Sequence, residues 1–157
     1  RLFEKEARLP IGIVRTPKRG TFFLLVAILL GQTQTNYEII YFVMQGKDNT
    51  ICIYDYYYSL DESAELFEGK MKGKIIHFAN LKILDLTNDE AQYFLDITGA
   101  RAISGYGSTY NKIASCSTID KAFFSLYQEN DDLTEVVEDL YQKHYALCKL
   151  LDFRLYY

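Results

Sequence analysis

The side chains of this chain that could carry out nucleophilic chemistry are few and far apart. The cysteines are Cys52, Cys116 and Cys148, and the histidines are His77 and His144. A thiol becomes an effective nucleophile when a base such as histidine lies beside it. Cys116 follows the glycine-containing segment SGYGSTY closely. It is therefore the thiol that could act as a nucleophile, with His77 as its base.

Each of these side chains also has a structural interpretation. Cys116 belongs to the apolar repeat of a predicted helix, Cys52 lies in a predicted strand, and Cys148 falls on the apolar side of the last predicted helix. Buried free cysteines commonly act as small packing residues. His77, inside the run KIIHF, is typical of a hydrogen-bonded core histidine. The sequence alone keeps both interpretations open.

The spacing of potential metal ligands does not predict a metal site. No CxxC pair is present, which argues against a zinc site or a disulfide framework and favours a reducing, cytoplasmic compartment. The acidic run 129–132 lacks the spaced oxygen ligands and central glycine of a calcium loop. It predicts a solvated helix cap instead. We expect no metal and no cofactor.

Glycines at the predicted strand ends indicate a second kind of candidate site. In SGYGSTYNK, two glycines and several hydroxyls precede a predicted helix whose N terminus could hold an anion. The segment has neither Walker nor dinucleotide-binding spacing, so the glycines more simply predict a turn from strand to helix. The candidate ligand-binding residues at these strand ends are Gly46, Asn80, Gly105, Tyr106 and Gly107.

These candidates are positioned by strands that alternate with helices. The predicted strands cover residues 9–14, 38–44, 50–58, 74–79 and 100–104. The strand at 50–58 is expected to pair with the strand before it as a hairpin. The alternation predicts an α/β fold: a mainly parallel sheet flanked by helices on both faces, in a single domain over residues 1–157. Ligands and catalytic groups of such sheets gather at the carboxyl ends of the strands.

The helices are marked by their capping residues. Ser59 with Glu62 and Thr87 with Glu90 form two capping boxes, each of which starts a predicted helix. Gly99 is predicted to end the second of these helices. A third helix is predicted over residues 110–128.

A final amphipathic helix is predicted from Leu133 to about Phe153, within the segment 131–155. One interpretation docks this helix on the sheet. The other makes it a face for a protein partner or for self-association, because Arg154 and the tail tyrosines Tyr156 and Tyr157 are residue types that interfaces favour.

Composition limits the classes of function. The chain has 157 residues, of which 49% are hydrophobic and 24% charged, which predicts a folded domain with a substantial core. The net charge of −4 argues against a nucleic-acid partner. The apolar run 22–30, for which a buried helix is favoured over a strand, is about half the length that a membrane span requires. We expect no membrane association, and the run has no cleavage-like tail that would indicate a signal peptide.

Three segments taken together resemble a known family. IIYFVMQG, GKIIHFANLKIL and FLDITGARAISGY are similar, in order and spacing, to segments of small bacterial caspase-like domains, the group that includes the CHAT peptidases. The resemblance covers residues 37–124. It implies a caspase-like sheet.

The resemblance also implies where catalytic residues would stand. In that family a histidine after the first strand is the general base or acid, and a cysteine after the next core strand is the nucleophile. Gln45 and Leu81 occupy these positions here. An amide does not exchange protons near neutral pH and Leu81 has no nucleophilic atom, so the dyad is degenerate.

The sequence therefore predicts a catalytically inactive caspase-like pseudo-peptidase that acts as a binding, regulatory or scaffold module. Two alternatives stay open. One is an active cysteine hydrolase that uses the displaced pair Cys116 and His77. The other is a small-ligand sensor at the GYG turn, residues 105–107.

Overall fold

The fold has three layers, with a central sheet between two groups of helices. A computed structural model describes residues 11–15, 38–43, 49–53, 56–79, 84–108 and 113–157. The strands are β1 (Ile11–Arg15), β2 (Ile39–Val43), β3 (Thr50–Ile53), β4 (Tyr56–Ser59), β5 (Ile75–Phe78), β6 (Ala102–Tyr106) and β7 (Phe153–Tyr156). The helices are α1 (Leu60–Leu66), α2 (Asn88–Thr98), α3 (Ile113–Glu129), α4 (Leu133–Lys143) and α5 (Tyr145–Leu151).

The central sheet is mainly parallel. Its order is β1-β2-β5-β6-β7, and the first four strands run parallel while β7 is antiparallel to β6. The predicted α/β class and mainly parallel sheet are confirmed. The apolar runs that form β2 and β5 are buried on both faces, as expected for strands in the middle of a parallel sheet.

Strand alternation divides the core into two halves. Ile40 and Phe42 of β2 face the layer of α1 and α2, and Phe42 stacks on Phe78 of β5 with ring centroids 5.4 Å apart. Ile39 and Tyr41 point to the opposite layer, which α3, α4 and α5 cover. Because successive side chains of a strand point to opposite faces, each strand contributes to both halves.

Both predicted capping boxes are confirmed. The Glu62 amide donates to Ser59 Oγ at 3.0 Å, and the Ser59 amide donates back to Glu62 Oε1 at 3.3 Å. The same reciprocal pair starts α2 at Thr87. Gly99 ends α2 with φ at 78°, a left-handed conformation that favours glycine.

The predicted pairing of the 50–58 segment with the strand before it is wrong. The segment forms two strands, β3 and β4, which pair with each other in a separate two-stranded sheet, with Thr50 opposite Ser59. The physical reason is that β2 already has β1 on one edge and β5 on the other. No edge of β2 is left for a hairpin.

The prediction of one continuous final helix is also wrong. The segment forms α4 and α5, separated at His144, whose φ of −132° and ψ of 42° are not helical. Asp152 then turns the chain with φ at 52°, and residues 153–156 form β7 against β6. The segment forms a strand because its side chains alternate between the two faces of the sheet. Phe153 is buried and Leu155 half-buried against one half of the core, and Tyr156 packs half-buried against the other.

One further expectation concerns a part of the chain that the structure does not describe. The apolar run 22–30 lies outside the described residues, and so does its predicted helical conformation. Within the ranges that are described, none of the helices is long and apolar enough to cross a membrane.

Candidate functional site

A row of polar side chains crosses the middle of the sheet on its α3–α5 face. In the strand register, Tyr41 of β2 lies opposite His77 of β5, and His77 lies opposite Ser104 of β6. Their neighbours on this face are apolar, for example Ile75 and Ala102. Three adjacent strands thus place three hydrogen-bonding groups in contact beneath α3.

Asp120 of α3 packs over this row of side chains and contacts it through its carboxylate. Its carboxylate accepts a hydrogen bond from the Tyr41 hydroxyl at 2.6 Å and lies 2.6 Å from His77 Nε2. It also accepts a hydrogen bond from the hydroxyl of Tyr106. On the other side of the ring, His77 Nδ1 is 2.7 Å from Ser104 Oγ. We call these five residues the buried polar cluster.

The buried polar cluster is sealed from solvent. His77, Ser104, Tyr106 and Asp120 are each 0% exposed, and Tyr41 is 8% exposed. The Asp120 carboxylate accepts all three hydrogen bonds when His77 donates from Nε2, and Ser104 then donates to Nδ1. Burial, followed by the charge of Asp120, raises the pKa of Tyr106 well above its usual value, so this hydroxyl remains a donor. Every donor in the cluster then has an acceptor, as buried polar groups require.

The contacts run in the order serine, histidine, carboxylate, which is the order of a nucleophile, its base and the group that orients the base. Two features separate this arrangement from a working serine site. Ser104 bonds Nδ1 and Asp120 bonds Nε2, the reverse of the serine-protease assignment. In addition, Ser104 lies inside β6 at 0% exposure, so a substrate carbonyl has no path to it in this conformation. The arrangement positions α3 on the sheet.

The structure brings Cys116 close to this cluster without making it reactive. The Tyr106 hydroxyl, whose proton goes to Asp120, also lies 3.1 Å from the Cys116 carbonyl oxygen. Both ring nitrogens of His77 bond Ser104 and Asp120 rather than the thiol. Burial, with a smaller contribution from the Asp120 charge, raises the pKa of Cys116 to about 12. The thiol is therefore protonated at neutral pH.

Cys148 is likewise buried, and burial raises its pKa to about 11. Packing of both cysteines in the core is confirmed. The Cys52 side chain lies outside the described residues.

The GYG segment is used by the chain for its own packing. Gly105 lies within β6 rather than in a turn, which corrects the expected strand-to-helix turn at that residue. A Cβ on Gly105 would lie 2.8 Å from Leu84 Cδ2, and one on Gly107 would lie 2.6 Å from Arg154 Nε. Tyr106 points into the core. Ligand binding at this segment stays a prediction.

The degenerate dyad positions Gln45 and Leu81, together with Gly46 and Asn80, lie outside the described residues. Among the residues that are described, no group of three or more histidine, cysteine or acidic side chains could hold a metal ion.

Sequence reasoning missed three members of the buried polar cluster: Tyr41, Ser104 and Asp120. A signal was present for Asp120, because an aspartate in the apolar repeat of α3, four residues after Cys116, must bury its carboxylate or find partners. The partners themselves are 43 and 79 residues away in sequence. Which residues become the partners of Asp120 depends on the order of the strands in the sheet.

The fold and the cluster define a small three-layer α/β domain with a mainly parallel sheet and a sealed polar centre. A family model described as "Family of unknown function (DUF6642)" matches residues 25–157, and the chain belongs to that family. No curated protein matches the sequence.

Proposed function

We propose that this protein is a non-catalytic caspase-like domain that works by binding other molecules, as a regulatory or scaffold module. The residue types at the dyad positions motivate the proposal, because Gln45 and Leu81 lack the proton-transfer group and the nucleophile. The observation that carries it is the state of His77, whose two ring nitrogens are both engaged at 0% exposure. The residue best able to replace the missing base is committed to the core.

The strand register supports the caspase-like interpretation of positions 45 and 81. β2 and β5 are adjacent and parallel, with Phe42 opposite Phe78. Gln45 and Leu81 each follow three residues after their member of this pair. The carboxyl ends of β2 and β5 therefore lie at the same edge of the sheet, and catalytic groups of parallel sheets gather at such ends.

The alternative of an active hydrolase requires a nucleophile that the described residues do not offer. Cys116 is a buried, protonated thiol, and Ser104 is a buried hydroxyl whose hydrogen bond to His77 uses the ring nitrogen opposite to the one that serine proteases use. Either group would need α3 to leave the sheet before it could meet a substrate. The contact between Asp120 and the strands opposes that opening.

Activity-based probes test the proposal. The folded protein is treated with an iodoacetamide probe for thiols and a fluorophosphonate probe for serines, and labelled residues are identified by mass spectrometry. We expect labelling of Cys116 and Cys148 to be slow in the native protein and fast in urea, and we expect no labelling of Ser104. Cys148 is the matched control, since it is an equally buried thiol that lies outside the buried polar cluster.

Rapid native labelling of Cys116 or Ser104 that disappears in His77→Gln would overturn the proposal. Circular dichroism verifies that this variant is folded.

The candidate ligand site at residues 105–107 has its own test. A ligand at about 100 times its Kd adds about 2.7 kcal/mol of stability, so a thermal shift with a panel of nucleotides and inorganic phosphate would reveal it. A shift that is lost in Gly107→Ala and retained in Gly73→Ala would favour the sensor alternative. The proposed module predicts no shift with these ligands.

A further inference from the structure

Exposed aromatic and apolar side chains collect on the outer surface of α1, α2 and β4. Of the seven large hydrophobic residues that are exposed in the described part of the chain, Tyr56 (54%), Leu66 (45%) and Tyr93 (37%) share this surface. Large exposed apolar groups that lie together mark interaction sites more often than scattered ones do.

Hydrogen bonds show that these side chains form one continuous surface. The Tyr56 hydroxyl donates to Glu62 Oε2 at 3.3 Å, and the Tyr93 hydroxyl donates to Glu65 Oε1 at 3.1 Å. Glu62 and Leu66 are four residues apart on α1 and therefore lie on the same side of the helix. We call Tyr56, Glu62, Glu65, Leu66 and Tyr93 the tyrosine–acid patch.

The charged residues of α1 and α2 all have the same sign. α1 and α2 together contain six carboxylates and no basic residue, so these two helices carry more negative charge than the net −4 of the whole chain. The nearest basic side chains in sequence, Lys70 and Lys72, come after α1 has ended. Hydrogen bonding to Glu65, followed by burial and the charges of Glu65, Asp61 and Glu68, raises the pKa of Tyr93.

Tyrosine rings beside carboxylates recognise one chemistry well. A guanidinium group can lie over an aromatic face and pair with a carboxylate at the same time, since it is planar and has several donors. A neutral apolar peptide would leave the carboxylates unpaired, and an acidic one would be repelled. Charge complementarity therefore favours a basic, arginine-containing segment over a neutral or an acidic one.

We propose that the tyrosine–acid patch binds an arginine-containing basic segment of a partner protein. The rings of Tyr56 and Tyr93 hold guanidinium groups, Glu62 and Glu65 neutralise them, and Leu66 contacts the apolar part of the segment. This inference goes beyond the proposed function, because an active hydrolase could carry the same surface. A result that contradicts binding at the patch would therefore leave the proposed non-catalytic role intact, and the reverse also holds.

The test is fluorescence anisotropy with a short labelled peptide in which arginine and serine alternate. Peptides with lysine or glutamate in place of arginine serve as comparisons. We expect the arginine peptide to bind most tightly, the lysine peptide more weakly and the glutamate peptide not at all. Affinity should fall as ionic strength rises toward about 0.15 M, where exposed charges are screened beyond about 8 Å.

Variants of the patch assign the binding to its residues. Tyr56→Ala combined with Tyr93→Ala should weaken binding by about fivefold to thirtyfold, if each exposed cation–π contact contributes in its usual range. Tyr56→Phe combined with Tyr93→Phe keeps both aromatic rings and should bind within about twofold of wild type if the rings carry the interaction. Glu62→Gln with Glu65→Gln should weaken binding by up to about tenfold and reduce its salt dependence.

Matched controls lie on another part of the surface. Tyr145 is 61% exposed and Glu138 is an exposed carboxylate on α4, so Tyr145→Ala and Glu138→Gln should leave binding unchanged. The proposal is wrong if the arginine peptide does not bind, or if the control variants weaken binding as much as the patch variants. Self-association of the protein without peptide that is lost in the tyrosine variant would assign the patch to a second copy instead. The probe-labelling experiment on Cys116 and Ser104 is unaffected by these substitutions, so the two proposals fail separately.

Discussion

Replacement of Asp120 by asparagine should strongly destabilise the fold. The carboxylate accepts hydrogen bonds from Tyr41, His77 and Tyr106 in a site that is closed to water. Asparagine has the same shape and one acceptor oxygen. If that oxygen keeps the bonds of His77 and Tyr106, the amide NH₂ group faces the Tyr41 hydroxyl, and that donor loses its acceptor.

The size of the effect follows from these contacts. A lost hydrogen bond to a charged group costs about 1.5–3 kcal/mol, and each of the two remaining bonds weakens by about 1 kcal/mol when its acceptor becomes neutral. Relief of the desolvation of a buried carboxylate offsets part of the sum. We expect Asp120→Asn to lower the free energy of unfolding by about 3 kcal/mol.

Urea unfolding followed by circular dichroism measures this change through the midpoint and the slope. Asp96→Asn is the matched control, because Asp96 is an exposed helix residue whose partner is Gln92; surface changes of this kind stay within about 0.5 kcal/mol. Tyr41→Phe should cost about 1.5–3 kcal/mol alone and clearly less in the Asp120→Asn background, since the two changes remove the same bond. A change of less than about 0.5 kcal/mol for Asp120→Asn would refute the role assigned to the buried polar cluster.

Three further predictions address packing, capping and pH. Gly105→Ala should destabilise by about 1–3 kcal/mol through overpacking against Leu84 and the β5 backbone. Gly107→Ala meets only the polar ends of the half-buried Asp152 and Arg154 side chains, which can shift, and should cost less than about 1 kcal/mol. A lower urea midpoint for Gly107→Ala than for Gly105→Ala would contradict the packing assigned to β6. Thr87→Ala removes the cap of α2 and should cost about 1 kcal/mol, and equal midpoints for wild type and variant would contradict it. Folding raises the pKa of Cys116 from 9.0 to about 12. The protonated thiol therefore contributes its full share to the free energy of unfolding below pH 9, and this share is lost as the pH rises from 9 to about 12. The free energy of unfolding should fall over that window by up to about 1.4 kcal/mol per pH unit. Unfolding across that range should show a shallower slope in Cys116→Ala, and identical slopes would contradict the burial of the thiol.

Local signals in the sequence were sufficient for much of the secondary structure. The capping boxes at Ser59 and Thr87 and the glycine stop at Gly99 were predicted and confirmed, because each depends on residues within one helical turn. The apolar runs of β2 and β5 were also recognised, since strands buried on both faces read as continuous apolar segments. Local patterns also indicated core packing as one of the two interpretations that the sequence left open for Cys116 and His77, and the structure buries both side chains.

The tertiary structure decided the pairing of the hairpin, the end of the chain and the composition of the buried polar cluster. The 50–58 segment could not pair with β2, because both edges of β2 were already occupied by strands distant from it in sequence. Residues 153–156 became a strand because β6 offered an edge and each face of the sheet offered an apolar surface. Asp120 meets Tyr41 and His77 only after the parallel register brings β2 and β5 together beneath α3. Such contacts depend on which strands are neighbours, and neighbouring strands are selected by burial of the whole sheet rather than by any short segment.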